Sequence, residues 1–366
     1  MFTEVSIEFG HWFLPGPAEV HPDILAAMNR SMIAHRGPAM EQLLAGLKQP
    51  LADIFRTTHP VVIGTTSTTG FMEAAIRCGV TERVLVVIGG AFGERFAQIA
   101  EHSGKEVVRV MVPPGRTLEP EYLVQFLDGP PVDALALVHS ETSTGALAPL
   151  PEIVSVVRNR KDIVVLVDAA SSLAGCPVET DLWGIDFVFA GSQKALGLPP
   201  GLALGAVSPR LLERARQLAD RGRYFDLVRY VEAEARNQPT STPAIPLYFA
   251  LAAQMARIKV AGGIEARWSR HHTMLTMVEE WVSLHPQVSL LPVQGRRSWT
   301  VSCLKLPVWT SDDQVVGSMA DLGWVIGAGY GELKGNTIRI GHMGDAEPER
   351  LGALLEDLGK VLSAKD

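Results

Sequence analysis

Cysteine is scarce in this chain: Cys78, Cys176 and Cys303 are the only three among 366 residues, far apart and without CxxC or metal-ligand spacing. That count excludes a disulfide framework and a zinc cluster, and it fits buried thiols in a reducing compartment. Positive charge is in deficit too, with 33 Lys and Arg against 40 Asp and Glu and a net charge of −7. Such a balance argues against a general nucleic-acid or anionic-membrane surface. No run of about 18 apolar residues occurs, so no transmembrane helix is expected. Met1-Phe2-Thr3-Glu4 shows neither the basic start nor the apolar h-region of a signal peptide. The expectation is a soluble, cytoplasmic protein. Repeats and low-complexity segments are missing as well. So is a dinucleotide fingerprint: Gly89-Gly90-Ala91-Phe92-Gly93 lacks GxGxxG spacing, and Val107–Val112 does not end in an acidic residue to hold a ribose.

What is present is apolar material in a regular order. Hydrophobic residues make up 47% and charged residues 20%, enough for a large core. Short β-rich runs at Val61–Gly64, Val84–Ile88, Val107–Val112, Ala134–Val138, Ile163–Val167, Phe187–Ala190 and Leu202–Val207 alternate with helical stretches. The spacing predicts helices over Ala39–Phe55, after Gly70, and over Arg95–His102. Several of the β-rich runs are apolar throughout, as strands covered on both faces are. Alternation of this kind predicts an α/β domain with a mostly parallel sheet. Long helices are expected over Ile245–Val260 and Ile264–Leu284, with Gly262-Gly263 between them. Val288–Leu291, Thr300–Leu306, Val315–Leu322, Thr337–Ile340 and a terminal helix over Pro348–Leu362 suffice for a small C-terminal α+β domain. The expected division is residues 1–262, comprising the N-terminal segment and the large domain, and residues 263–366.

Lys194 stands between small residues in Gly191-Ser192-Gln193-Lys194-Ala195, directly after an apolar strand. Desolvation there lowers an amine's pKa and favours a nucleophile. Asp168 closes the apolar run Ile163–Val167 on a neighbouring strand. A Schiff-base lysine and a carboxylate facing a protonated ring nitrogen are the two groups a pyridoxal phosphate site needs most. The structural alternative is a snorkelling Lys and an N-cap Asp. Thr65-Thr66-Ser67-Thr68-Thr69-Gly70, at a strand-to-helix turn, forms an anion cradle if it is more than an ordinary cap. Phe92 is placed to lie flat on a planar cofactor, or to be a core residue. Thr142, in the turn His139–Gly145, can reach a ring substituent, whereas His139 and Glu141 read as structural. Arg339, flanked by apolar residues, suits a bidentate carboxylate contact or an internal salt bridge. Side-chain discrimination is expected near Pro15-Gly16-Pro17, with Gly16 in the substrate site, and near Tyr330-Gly331.

Assembled in order, these residues resemble the class V aminotransferases of the pyridoxal phosphate fold-type I superfamily, alanine–glyoxylate and serine–glyoxylate (serine–pyruvate) aminotransferases in particular. The resemblance spans almost the whole chain. It rests on Leu14-Pro15-Gly16-Pro17, His35-Arg36, Gly93-Glu94-Arg95, Glu141–Gly145, Val167-Asp168-Ala169, Ser192-Gln193-Lys194 with Pro199-Pro200-Gly201, Thr242-Pro243-Ala244 and Arg339–Gly344. It implies a large domain with a mostly parallel central sheet covered by helices, and a small C-terminal domain. It implies that Lys194 forms the internal aldimine with pyridoxal 5'-phosphate and shuttles the proton, while Asp168 keeps the ring nitrogen protonated. Phe92, where relatives often carry Trp, stacks on the ring; Ser67, Thr68, Thr69 and Gln193 hold the phosphate; Thr142 faces the ring hydroxyl. The likeness further implies a homodimer with shared active sites, Thr242 reaching the partner's cofactor phosphate, and Arg339 clamping the substrate α-carboxylate. Two departures stand out: Ser67-Thr68-Thr69 replaces Ser-Gly-Thr or Ser-Gly-His, and Gln238–Thr242 lacks the Tyr that many relatives place before the Thr.

The expected reaction is ping-pong transfer of an amino group from alanine or serine to glyoxylate or pyruvate. Aspartate, phosphoserine or an aminophosphonate is the alternative donor, and a second basic residue in the pocket would favour it. A lyase such as a cysteine desulfurase needs a reactive Cys on a mobile loop, and Cys303 lies in a β-like run instead. A non-catalytic regulator would need an added DNA-binding domain, for which the chain leaves no spare length.

Overall fold

The computed structural model describes residues 9–363. Its larger part is built on a seven-stranded sheet in the spatial order Val61–Gly64, Ala203–Val207, Phe187–Gly191, Val164–Asp168, Ala134–Val138, Arg83–Ile88, Glu106–Met111. From Phe187–Gly191 to Glu106–Met111 all neighbours are parallel. Ala203–Val207 runs antiparallel to both strands beside it. The expected α/β class and mostly parallel sheet are what the chain forms.

Continuous apolar strands make sense because both faces of this sheet are covered. Along Val164–Asp168, Val165 and Val167 enter one core cluster while Val164 and Leu166 enter the other. Arg83–Ile88 divides in the same way, Leu85 and Val87 against Val84, Val86 and Ile88. The two-residue period of a strand thus feeds two layers. Helices Pro38–Phe55 and Ile245–Val260 bury Leu47, Leu51, Leu251 and Met255 on the first side. Helix Thr68–Gly79 covers the second with Phe71, Met72 and Ile76.

A second sheet runs Trp12–Phe13, Val325–Ala328, Thr337–Ile340, Ser302–Lys305, Ser289–Leu290. Helices Gly263–Leu284, Asp312–Asp321 and Pro348–Ser363 pack on it through Met274, Val278, Val315, Met319, Leu354 and Leu358. Helix Gly263–Leu284 bridges the cores, since Ile264 and Trp268 belong to the large one. Trp12–Phe13 pairs in parallel with Val325 and Ile326, so the beginning and the end of the chain share a sheet. A two-residue strand carries no period by which a sequence could announce it.

Several boundaries differ from expectation. The strand expected at Val107–Val112 is Glu106–Met111, and Val288–Leu291 contributes only Ser289–Leu290. Val315–Leu322 falls on the helix Asp312–Asp321 and its C-cap Leu322, the helix being started by a capping box between Ser311 and Gln314. The helix expected after Gly70 begins at Thr68, and that expected at Arg95 begins at Ala91. Each helix thus takes in the Gly that the sequence pattern assigns to the preceding turn, Gly70 in the one and Gly93 in the other, because the first turn's N–H groups need no intrahelical partner.

Candidate active site

The parallel strands all deliver their carboxyl ends to one edge of the sheet, where open α/β folds collect ligands. Asp168 is the last residue of Val164–Asp168, and Lys194 follows Phe187–Gly191. Phe92 opens the helix after Arg83–Ile88, and Thr142 lies in the turn after Ala134–Val138. Thr68 and Thr69 open the helix after Val61–Gly64, with Ser67 at its N-cap.

Lys194 is partly buried, and its Nζ donates to the Pro15 carbonyl. Burial first, then the Arg339 guanidinium, pull its pKa down to about 8. The amine lies 5.8 Å from the Phe92 ring centroid. Gly16, with φ of 119°, passes so close that a Cβ would overlap Lys194 Cε and Nζ. Asp168 is 2% exposed, and among the described residues its Oδ1 accepts only the Ala170 N–H, at 2.7 Å. Burial pushes its carboxyl up to about 7, with Glu141 adding to the shift and Lys194 opposing it. A buried carboxylate so poorly served calls for a cationic or N–H partner.

Helix Thr68–Gly79 has no side-chain N-cap bond, and its Gly70 N–H is taken by the Ser67 carbonyl at 2.9 Å, so the N–H groups of Thr68 and Thr69 are the ones left open to a ligand among the described residues. Thr68 Oγ1 and Gln193 Oε1 are buried without any hydrogen-bond partner. Both crowd onto Gly191, where a Cβ would overlap Thr68 Oγ1. Two orphaned polar groups beside a free helix N-terminus fit a phosphate. Arg339 donates from Nε to the Ala328 carbonyl at 2.9 Å and from Nη1 to the Thr142 carbonyl at 3.4 Å. No carboxylate pairs with it among the described residues, and burial holds its pKa below the usual arginine value.

Thr142 Oγ1 shares a hydrogen bond with Ser171 Oγ at 2.5 Å. Glu141 is occupied structurally: its carboxylate accepts from the backbone N–H of Phe92 and of Gly93, both at 3.1 Å, and from Ser143. His139 is buried edge-on to Trp183, and burial holds its pKa near 3. Thr242 is exposed, two residues before Ala244, whose N–H donates to Thr65 Oγ1 at 3.2 Å.

Residues 19–316 match the profile of the family described as "Aminotransferase class-V". The chain belongs to the class-V aminotransferases. This class-V aminotransferase is 35% identical over 337 residues to an uncharacterized aminotransferase of Methanocaldococcus jannaschii, covering 90% of this chain and 87% of the relative. It is 28% identical to an L-aspartate–glyoxylate aminotransferase of Paracoccus denitrificans, with 91% and 86% covered. Among solved structures it superposes on an alanine–glyoxylate aminotransferase from Nostoc with a TM-score of 0.92, at 29% identity, covering 99% and 97% of the two chains. It is a pyridoxal-phosphate-dependent transaminase of fold type I. No helix among the described residues is long and apolar enough to cross a membrane.

Sequence reasoning overlooked a group behind this class-V site. Arg267 donates through Nε and Nη2 to the Ala195 carbonyl at 3.1 and 2.8 Å, and Gln254 Nε2 reaches the Leu196 carbonyl at 2.7 Å. Nothing in helices Gly263–Leu284 and Ile245–Val260 marks these residues apart from ordinary polar positions. Arg95, read in Gly93-Glu94-Arg95 without a role, places its guanidinium 4.9 Å from the Phe92 ring centroid.

Proposed function

We propose that this class-V aminotransferase passes the amino group of alanine or serine to glyoxylate or pyruvate in two half-reactions, a ping-pong sequence. The observation that carries the reading is the Lys194 amine, held between the Pro15 carbonyl and the Phe92 ring, with its pKa drawn to about 8 by desolvation and by Arg339 against the pull of Asp168. Bound pyridoxal 5'-phosphate supplies the electron sink that makes a substrate Cα proton removable. Lys194 Nζ takes that proton from Cα and returns it as the acid. The Asp168 carboxylate holds the proton on the ring nitrogen, gaining the partner its burial lacks. Ser67, Thr68 and Thr69 hold the phosphate with the open N–H groups of Thr68 and Thr69, and Gln193 joins them from the segment after Phe187–Gly191. Phe92 would stack on the ring, and the Thr142 hydroxyl, already bonded to Ser171, would face the ring hydroxyl. Arg339 takes the α-carboxylate, with Gly16 lining the substrate side.

A homodimer belongs to the same reading, because Thr242 is exposed and free to reach a partner's phosphate. So does a cytoplasmic setting, since Cys78, Cys176 and Cys303 are buried free thiols. Cys303 is also unsuited to desulfuration: it is fully buried in a strand, and burial pushes its thiol up to about 11. An acidic donor is the second reading. It is favoured by Arg95, which has no carboxylate partner among the described residues and lies near enough to act on Lys194 and Asp168. Single half-reaction spectra against alanine, serine, aspartate and phosphoserine decide between them. Rapid bleaching by alanine or serine with parallel initial-rate lines supports the first reading, whereas a response to aspartate or phosphoserine alone overturns it.

A further inference from the structure

Tyr330 sits in the loop between strands Val325–Ala328 and Thr337–Ile340, against Arg339 and Phe92. Its ring centroid lies 5.2 Å from the Arg339 guanidinium carbon. The same ring stacks on Phe92, with centroids 6.1 Å apart and planes 22° from parallel. Yet Tyr330 is 39% exposed, and among the described residues its hydroxyl makes no hydrogen bond. The ring therefore does not serve a core. The loop beneath it is firmly held. Asp312, 1% exposed, accepts through Oδ2 from the backbone N–H of Gly329 at 3.0 Å and of Gly335 at 2.8 Å. Thr337 Oγ1 closes the far side on the Leu333 carbonyl at 2.8 Å. A buried carboxylate spent on two loop amides fixes where the aromatic ring stands.

We propose that Tyr330 is a specificity-determining residue: its ring walls the subsite for the amino donor's side chain and restricts it to small groups. Asp312 is the positioning residue that sets the wall. The proposal rests on Arg339 taking the α-carboxylate. With the carboxylate there, the donor's side chain lies beside the Phe92–Tyr330 pair. The ring also covers one face of the guanidinium, and excluding water there strengthens the ion pair with the substrate. Without the ring, the clamp is wetter and the slot wider, so small donors bind less well and bulky ones lose their handicap.

The test compares Tyr330→Ala, Tyr330→Phe, Asp312→Ala and Asp312→Asn holoenzymes in steady-state assays with alanine and leucine as donors. Tyr330→Ala is expected to raise KM for alanine about tenfold with kcat within about threefold, and to narrow the alanine-over-leucine preference about tenfold. Tyr330→Phe keeps the wild-type pattern. Asp312→Ala moves KM in the same direction, and Asp312→Asn, which retains an acceptor oxygen, recovers most of it. Calorimetric binding of propionate, an unreactive monocarboxylate, is expected to weaken about fivefold in Tyr330→Ala and to hold in Tyr330→Phe. Should Asp312→Ala fail to fold, the partly exposed Tyr330 variants carry the test alone. Wild-type propionate affinity together with wild-type donor preference in Tyr330→Ala overturns the proposal. If wild-type enzyme accepts neither donor yet propionate still responds to Tyr330, the small-donor reading falls and the wall stands.

Discussion

Arg267 and Asp345 form a buried ion pair at 2.7 Å, and through it the loop that follows Arg339 is tied to the backbone that follows Lys194. Burial opposes ionisation of Asp345, but Arg267, Gln254 and Arg270 outweigh it and hold its carboxyl below the ordinary value. The Arg267 guanidinium spends its other N–H groups on the Ala195 carbonyl. Removing one partner strands the other charge. Arg267→Met is therefore expected to cost about 3–5 kcal/mol in urea unfolding, and the double variant Arg267→Met/Asp345→Leu less than Arg267→Met alone. Equal or greater loss in the double variant would speak against the pair.

Lys194 should govern cofactor capture with a definite pH sign. With its pKa drawn to about 8, the neutral amine predominates only above that value, so capture by the cofactor-free protein accelerates as pH rises through about 8. Arg339 is the second cause of the lowered value, after burial. Arg339→Gln removes a nearby positive charge, lets the ammonium persist, and moves the midpoint upward. Stopped-flow absorbance across pH 6–10 reads it directly, and a midpoint unmoved or lowered in the variant contradicts the assignment. Lys194→Ala is expected to lose the visible absorption band of the covalently held cofactor and nearly all turnover.

Asp168 trades stability for function in the cofactor-free protein. Its folded-state pKa, raised to about 7, lies above the ordinary 3.8. The folded state thus binds its proton more tightly than the unfolded chain. The stabilisation is fully present below about pH 4 and drains away as pH rises to about 7. Asp168→Asn lacks this titration. Its melting temperature relative to wild-type apo-protein should improve between pH 5 and pH 8, by the equivalent of about 1–3 kcal/mol, while cofactor affinity falls. A pH-independent difference between the two proteins is the contrary result.

Gly16 is the position where a single methyl group should do most damage. Its φ of 119° suits glycine, and an added Cβ would overlap Lys194 Cε and Nζ. Gly16→Ala is expected to lower kcat by about 100-fold or more by displacing the amine, with a stability cost of about 1–3 kcal/mol. Near wild-type kcat in a folded Gly16→Ala enzyme would show that Lys194 does not work from this place.

Local chemistry alone determined much of this protein. Runs such as Ile163–Val167 read as strands buried on both faces, and the order of Ser67-Thr68-Thr69, Phe92, Asp168, Lys194 and Arg339 matched one cofactor's requirements. Those readings rest on short-range periods and on residue types that few other chemistries need. What the tertiary structure decided lies in contacts between residues far apart in the chain. It brought Gly16 onto Lys194, set Arg267 and Gln254 behind it, and joined Trp12–Phe13 to Val325–Ala328. It settled Glu141 as an acceptor for the backbone of Phe92 and Gly93, leaving Asp168 as the poorly satisfied carboxylate. It also stood Tyr330 between Phe92 and Arg339. Periodicity sees only neighbours along the chain, whereas burial, pairing and the missing partner of a polar group are properties of the packed molecule.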